Sequence, residues 1–143
     1  WMIGKLRNTL IYPNVFLMDQ MSSQIRVFRP VAVDKTEVTI YAIAPKGESP
    51  KMRAHRIRQY EDFFNASGMA TPDDLTEFAY AQSAAQGRLA RWNDLTRGIK
   101  FLTKGADARA AALGIHPEYC GGKVEDEGIF LAQHRHWLHA MQK

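Results

Sequence analysis

Between residues 37 and 43, Val38, Ile40 and Ala42 alternate with Thr39, Tyr41 and Ile43, the two-residue period of a half-buried antiparallel strand. Residues 24–28 read as another strand, joined to the first by a turn around Val33-Asp34-Lys35-Thr36. Residues 9–19 are rich in β-branched and aromatic side chains but are interrupted by Pro13, which predicts an edge or a bulge there. The front third is thus expected to be a meander of about three strands.

The period then changes. The loop Pro45-Lys46-Gly47-Glu48-Ser49-Pro50 ends the sheet and puts Pro50 where a helix can begin. Across residues 51–65, Ile57, Tyr60, Phe63 and Phe64 recur at helical spacing, with arginines on the opposite face. The stretch from Asn65 to Gly68 closes this helix, Gly68 being suited to the left-handed residue after a helix end. A second helix is expected from Thr71-Pro72 to about residue 85, with Leu75 and Phe78 facing in. Residues 93–113 predict one or two short helices, broken near Gly105 and closed by Gly114, and Tyr119-Cys120-Gly121-Gly122-Lys123 reads as loop. Glu125-Asp126-Glu127 places negative charge at the start of a last helix carrying Ile129, Phe130, Trp137 and Met141. A long helix laid on an antiparallel sheet is an α+β arrangement. No repeat, low-complexity segment or domain boundary is visible.

Composition narrows the class. A chain of 143 residues that is 45% hydrophobic is expected to fold as one globular domain with a real core. No apolar run is long enough for a membrane span, and the first twenty residues lack the zones of a signal peptide. The single cysteine, Cys120, excludes an internal disulfide framework and suits a reducing cytoplasm. It also excludes, within this chain, an iron–sulfur cluster held by two cysteines and two histidines. The net charge of +4 concentrates at Lys51-Met52-Arg53-Ala54-His55-Arg56-Ile57-Arg58, which lacks interleaved stacking aromatics and reads as a solvated helix face, not a nucleic-acid stripe.

The candidate chemistry centres on Thr71-Pro72-Asp73-Asp74. As a helix start it would use Thr71 as N-cap, Pro72 at the first helical position and Asp74 as a capping-box acid. A carboxylate fixed at a helix start is also a rigid oxygen donor for a divalent metal, and the two readings are compatible. His134, His136 and His139 invite a metal assignment too, but His134 and His136 point to different sides of a helix and no acid shares the His136–His139 face. His55 and His116 have no partner in sequence, and Cys120 reads as structural.

Several segments carry a likeness in order: Arg7-Asn8-Thr9-Leu10-Ile11-Tyr12-Pro13-Asn14, Gln24-Ile25-Arg26-Val27, Glu37-Val38-Thr39-Ile40-Tyr41, Ala44-Pro45-Lys46-Gly47-Glu48, Arg58-Gln59-Tyr60-Glu61-Asp62-Phe63-Phe64, and Asn65 through Asp74. After residue 80 it thins to Arg91-Trp92-Asn93-Asp94, Arg97-Gly98 and Glu125-Asp126-Glu127-Gly128. Together they resemble the catalytic domain of the large (alpha) subunit of aromatic-ring-hydroxylating Rieske non-haem iron dioxygenases, of the benzoate/toluate type.

The resemblance implies a partial helix-grip domain over residues 1–143, the carboxy-terminal part of a catalytic domain whose Rieske domain and first strands lie elsewhere. Trp1 in place of an initiator methionine agrees with a truncated chain. It implies that Asp74 is the acidic ligand of a mononuclear iron(II), with two histidine ligands earlier in the family's chain and Asp73 as an adjacent acid. Phe64, ten residues before that acid, matches a pocket aromatic; Met69 and Ala70 fall on the segment passing the pocket; Asn8 and Met18 lie on a strand wall. Plain core remains open for Phe64 and Met18, and a strand cap for Asn8. Arg7 and Arg26 are both candidates for the substrate carboxylate. The activity implied is cis-dihydroxylation of benzoate or toluate by dioxygen, with electrons from NADH through a reductase and a [2Fe-2S] Rieske cluster, in a hetero-oligomer with a small beta subunit. An anthranilate or halobenzoate dioxygenase, and a stand-alone metal-free helix-grip ligand-binding protein, are the alternatives. The piece alone is expected to be inactive, and its open sheet edge to hinder independent folding.

Overall fold

The computed structural model describes residues 7–89, 91–123 and 128–143, with the side chains of Arg7 and Ile129 excepted. The chain divides into two compact units, Trp1–Leu89 and Ala90–Lys143.

The first unit opens with four strands in chain order, β1 (Arg7–Ile11), β2 (Val15–Gln20), β3 (Ser22–Ala32) and β4 (Lys35–Ala42), each antiparallel to the next. The expected strand over residues 9–19 is therefore two strands. Pro13, which has no N–H to give a ladder, sits in the hairpin turn between them, after a cis Tyr12–Pro13 bond. The alternation in residues 37–42 falls within β4, and Ile43 lies just past its end. Arg29 and Glu37 lie opposite each other on β3 and β4 and form an exposed ion pair at 2.9 Å.

Helix α1 (Pro50–Phe63) follows with Pro50 in its first turn, and α2 (Thr71–Ala85) comes next. The unit is α+β, with α1 against β3. Its interior is small. Phe64, at 6% exposure, is the one buried apolar side chain among the described residues, and the other buried side chains are polar, Ser22 and Gln24. Among the described residues the expected full core is thus not formed. Leu75 and Phe78, expected to face in, are 53% and 66% exposed, and α2 buries none of its residues. A four-stranded open sheet with one helix on it covers only part of one face, which leaves the other apolar positions half-buried or exposed.

The second unit has short elements: a 3-10 turn (Ile99–Phe101), β5 (Thr103–Lys104), α3 (Ala108–Ala112), β6 (Tyr119–Cys120) and α4 (Gly128–Met141). Asp107 caps α3 by accepting a hydrogen bond from the Ala110 N–H at 2.8 Å, and Gly114 closes it at φ 66°, as its position predicts. Residues 119 and 120, read as loop, instead pair with β5. The charges at Glu125-Asp126-Glu127 lie outside the described residues. On α4, Phe130, Trp137 and Met141 are exposed.

Candidate functional site

The sheet register decides which side chains share a face. Asn8 is opposite Met18, Met18 opposite Gln24, and Gln24 opposite Ala42; two residues along, Leu10, Phe16, Arg26 and Ile40 make a parallel row. Because strand side chains alternate, these two rows lie on one face. Phe16 and Phe28 meet edge to face there, 5.9 Å between ring centroids.

Along β3 this face carries Ser22, Gln24 and Arg26 at every second position. Gln24, only 1% exposed, donates through Nε2 to the Ser22 hydroxyl and accepts at Oε1 from Arg26 Nε at 3.0 Å. The Arg26 guanidinium then lies over the Phe64 ring, 4.9 Å from its centroid. Its Nη2 is buried and has no hydrogen-bond acceptor among the described residues. Burial lowers the Arg26 pKa from its ordinary value, while the charge of Asp74 acts in the opposite direction.

Asp74 is placed by the way the chain leaves α1. The last carbonyls of a helix have no partner inside it. Here Tyr60 O accepts from the N–H groups of Phe64 and Asn65, at 2.8 and 3.0 Å. The chain then folds back: Met69 N–H donates to Asp62 O, and Ala70 N–H donates to Phe63 O, both at 2.9 Å. The Thr71 hydroxyl donates to Phe64 O at 2.7 Å. Gly68 makes this return possible through space and not through a left-handed backbone, which it does not have. A Cβ there would stand 2.6 Å from the Phe63 carbonyl oxygen. Thr71 is accordingly not the helix cap that its sequence position suggests. Ala70 holds that position without a side-chain cap bond, and the Thr71 hydroxyl is committed to α1. Asp74, expected as a capping-box acid, uses its N–H within the helix, donating to Ala70 O at 3.2 Å. Asp74 is exposed. With Asp73 it puts negative charge in the first turn of α2.

The structure therefore brings Phe64, Arg26 and Asp74 into one neighbourhood, and sets Asn8 beside Met18 on the Arg26 face of the sheet. Asn8 donates to Gln20 Oε1 at 3.0 Å. Ala70 is half-buried, whereas Met69 is 76% exposed. A cleft of about 320 Å³ runs over Thr9, Leu17, Ile25 and Ile43, with Met18 and Gln24 also in its lining, and does not include Phe64 or Asp74. The Arg7 side chain lies outside what the structure describes. Ser22 and Gln24 were not singled out from sequence. Their signal was the polar residue at alternate positions 22, 24 and 26, which locally reads as a solvent face.

The described residues do not make a complete metal site, since no three His, Cys, Asp or Glu side chains gather among them. His134, His136 and His139 join no such group, and Cys120 accepts a hydrogen bond from the Asp107 N–H at 3.4 Å. The arginines of α1 serve the chain itself. Arg53 donates to Pro45 O at 3.0 Å, Arg56 pairs with Glu48 at 2.7 Å, and Arg58 with Asp62 at 2.7 Å.

No protein-family model matches the chain. Curated relatives match it along nearly all of its length. It is 54% identical over all 143 residues to the alpha subunit of toluate 1,2-dioxygenase from Pseudomonas putida, covering 31% of that protein. It is 54% identical over 139 residues to the large subunit of 2-halobenzoate 1,2-dioxygenase from Burkholderia cepacia, and 49% over 137 residues to that of anthranilate 1,2-dioxygenase from Acinetobacter baylyi. These two alignments take in 97% and 96% of the chain, and 30% and 29% of the relatives. The chain is therefore homologous along its length to the large subunits of aromatic-ring dioxygenases of this type, and it spans less than a third of each of them.

Proposed function

We propose that the chain is the carboxy-terminal part of the catalytic domain of an oxygenase large subunit. The whole protein then adds the two atoms of dioxygen, as cis hydroxyls, to adjacent ring carbons of an aromatic carboxylate such as benzoate or toluate. The 54% identity along all 143 residues to a toluate 1,2-dioxygenase subunit carries this reading. On it, the sheet and α1 are part of a helix-grip fold, a curved antiparallel sheet wrapped around a long helix.

A mononuclear iron(II) supplies the dioxygen chemistry, held by Asp74 together with two imidazoles from outside this chain. A [2Fe-2S] Rieske cluster elsewhere in the protein, an NADH-dependent reductase and a small beta subunit complete a cytoplasmic hetero-oligomer. The chain's own contribution is positional. The return of residues 65–70 onto α1 fixes the start of α2, and with it the Asp74 oxygen donor. Phe64 gives the pocket an aromatic wall. Asn8 and Met18 line the sheet side, and Met69 and Ala70 run past the pocket into the metal acid.

In the whole protein, supplied with reductase and beta subunit, benzoate should drive NADH-dependent consumption of labelled dioxygen, with both labels in one diol. Asp74→Ala should lose iron and turnover together, to below detection, while keeping its circular dichroism spectrum. Full iron occupancy and turnover in that variant would refute the role of Asp74. A wild-type protein inert toward every aromatic carboxylate would refute the function.

A further inference from the structure

We propose that Arg26 is the receptor for the substrate's carboxylate, through the guanidinium edge that carries Nη2, and that it thereby sets which ring carbons are attacked. The inference rests on the function proposed above and specifies its substrate contact.

Three observations lead to Arg26. First, it is fixed before any ligand arrives: Nε is tied to Gln24 Oε1 at 3.0 Å, and Gln24 is itself buried and bonded to Ser22. Second, its Nη2 is buried without an acceptor among the described residues. A guanidinium N–H removed from water without an acceptor is costly, and a carboxylate is the partner whose geometry matches it. The arginines at 29, 53, 56 and 58 are instead bonded to Glu37, Pro45 O, Glu48 and Asp62. Third, Arg26 stands close to the reaction centre as proposed. It covers the Phe64 ring, Phe64 O holds the Thr71 hydroxyl, and Thr71 opens the helix that carries Asp74, whose charge is felt at Arg26.

That closeness is what the chemistry requires. The relatives are named for toluate, 2-halobenzoate and anthranilate, rings that differ in a methyl, halogen or amino group and share a carboxylate. Each is named as a 1,2-dioxygenase, and carbon 1 of such rings is the carbon that bears the carboxylate. An anchor far from the metal acid would present the distant edge of the ring. A cation whose field includes Asp74 would hold the carboxylate so that carbons 1 and 2 lie toward the metal acid, and it would leave the variable substituent unread.

The test compares wild type, Arg26→Met and Arg26→Lys in the whole enzyme with its beta subunit and reductase, using benzoate and the neutral benzamide. Arg26→Met should raise KM for benzoate roughly 10- to 100-fold, the range of a lost charged hydrogen bond. Iron per subunit should be unchanged, and kcat/KM for benzamide should fall far less than kcat/KM for benzoate. Arg26→Lys should recover part of the loss, having the charge without the planar fork. An unchanged preference for benzoate over benzamide overturns the proposal. So does loss of iron from Arg26→Met, which would make Arg26 a support for Asp74. A crystal structure of the wild-type enzyme with benzoate decides the matter even if the variants do not fold. The carboxylate on Arg26 upholds the proposal and the carboxylate elsewhere overturns it. A wild type that oxidises no aromatic carboxylate fails earlier and takes both readings with it.

Discussion

The two long helices of the first unit begin in different ways. Helix α1 is started by its own neighbours: the Ser49 hydroxyl accepts the Met52 N–H at 3.3 Å, and Pro50 follows with its φ already set for a helix. Helix α2 has Pro72 and two carboxylates in its first turn, yet no side chain caps it. Its start is held by the end of α1, through the bonds from Met69, Ala70 and Thr71 to the carbonyls of residues 62, 63 and 64. A helix whose only duty is to cover a sheet can be started locally. One that, on the proposed function, holds Asp74 at a set place is started by the element it is measured against.

The strongest way to break that second arrangement is Gly68→Ala. The new methyl would stand 2.6 Å from the Phe63 carbonyl oxygen and 3.0 Å from that of Asn65, both backbone atoms with little room to give. Overpacking of this kind costs about 1–3 kcal/mol. The loop should move, and the start of α2 with it. In the whole protein we expect a lower melting temperature and, more tellingly, less iron per subunit and lower turnover. Full iron occupancy after Gly68→Ala would mean that the return loop does not position Asp74.

Ser49→Ala sharpens the contrast from the other side. Loss of an N-cap costs about 1 kcal/mol. It should lower the melting temperature of the whole protein by a few degrees and leave iron content and the KM for benzoate as they were. A loss of iron comparable to that of Gly68→Ala would erase the difference between the two helix starts.

The same difference explains what could be read in the sequence. The alternation through β4 and the spacing of Ile57, Tyr60, Phe63 and Phe64 are local patterns, and strand and helix follow from them. Pro50 as a helix start is local too. Gly68 was expected for a left-handed backbone, because a glycine after a helix usually serves that end. Here the demand is the approach of residue 68 to the Phe63 carbonyl, which no local pattern records. Thr71 has the right type and place for a cap, but its hydroxyl reaches the preceding helix. Ser22, Gln24 and Arg26 alternate with Ser23, Ile25 and Val27 as an outer face would, and burial of Ser22 and Gln24 inverts the meaning of that pattern. Pro13 signalled a break in a strand and marked a hairpin instead. Asp74 owes its selection to the family likeness of the segments around it, since alone it is one more acid at a helix start.

The smallest effect expected is electrostatic and belongs to the locally started helix. Glu48 Oε1 accepts from Arg56 Nε at 2.9 Å, which fastens the Pro45–Ser49 loop to α1, and the Glu48 side chain is 7% exposed. The hydrogen bond from Arg56 is the main cause holding the Glu48 carboxyl below its ordinary value of 4.5, with burial opposing. A carboxylate whose pKa is depressed on folding binds fewer protons folded than unfolded. Its contribution to stability is complete above about pH 4.5 and fades as pH falls through the lower, folded value. Wild type should therefore melt above Glu48→Gln at neutral pH, with the gap closing below about pH 4.5 as Glu48 takes up its proton. Iron content and the KM for benzoate should be equal in the two proteins at neutral pH. A gap that persists unchanged in acid would mean that the pair holds the loop by shape and not by charge. An effect on iron would mean that the start of α1 reaches Asp74 after all.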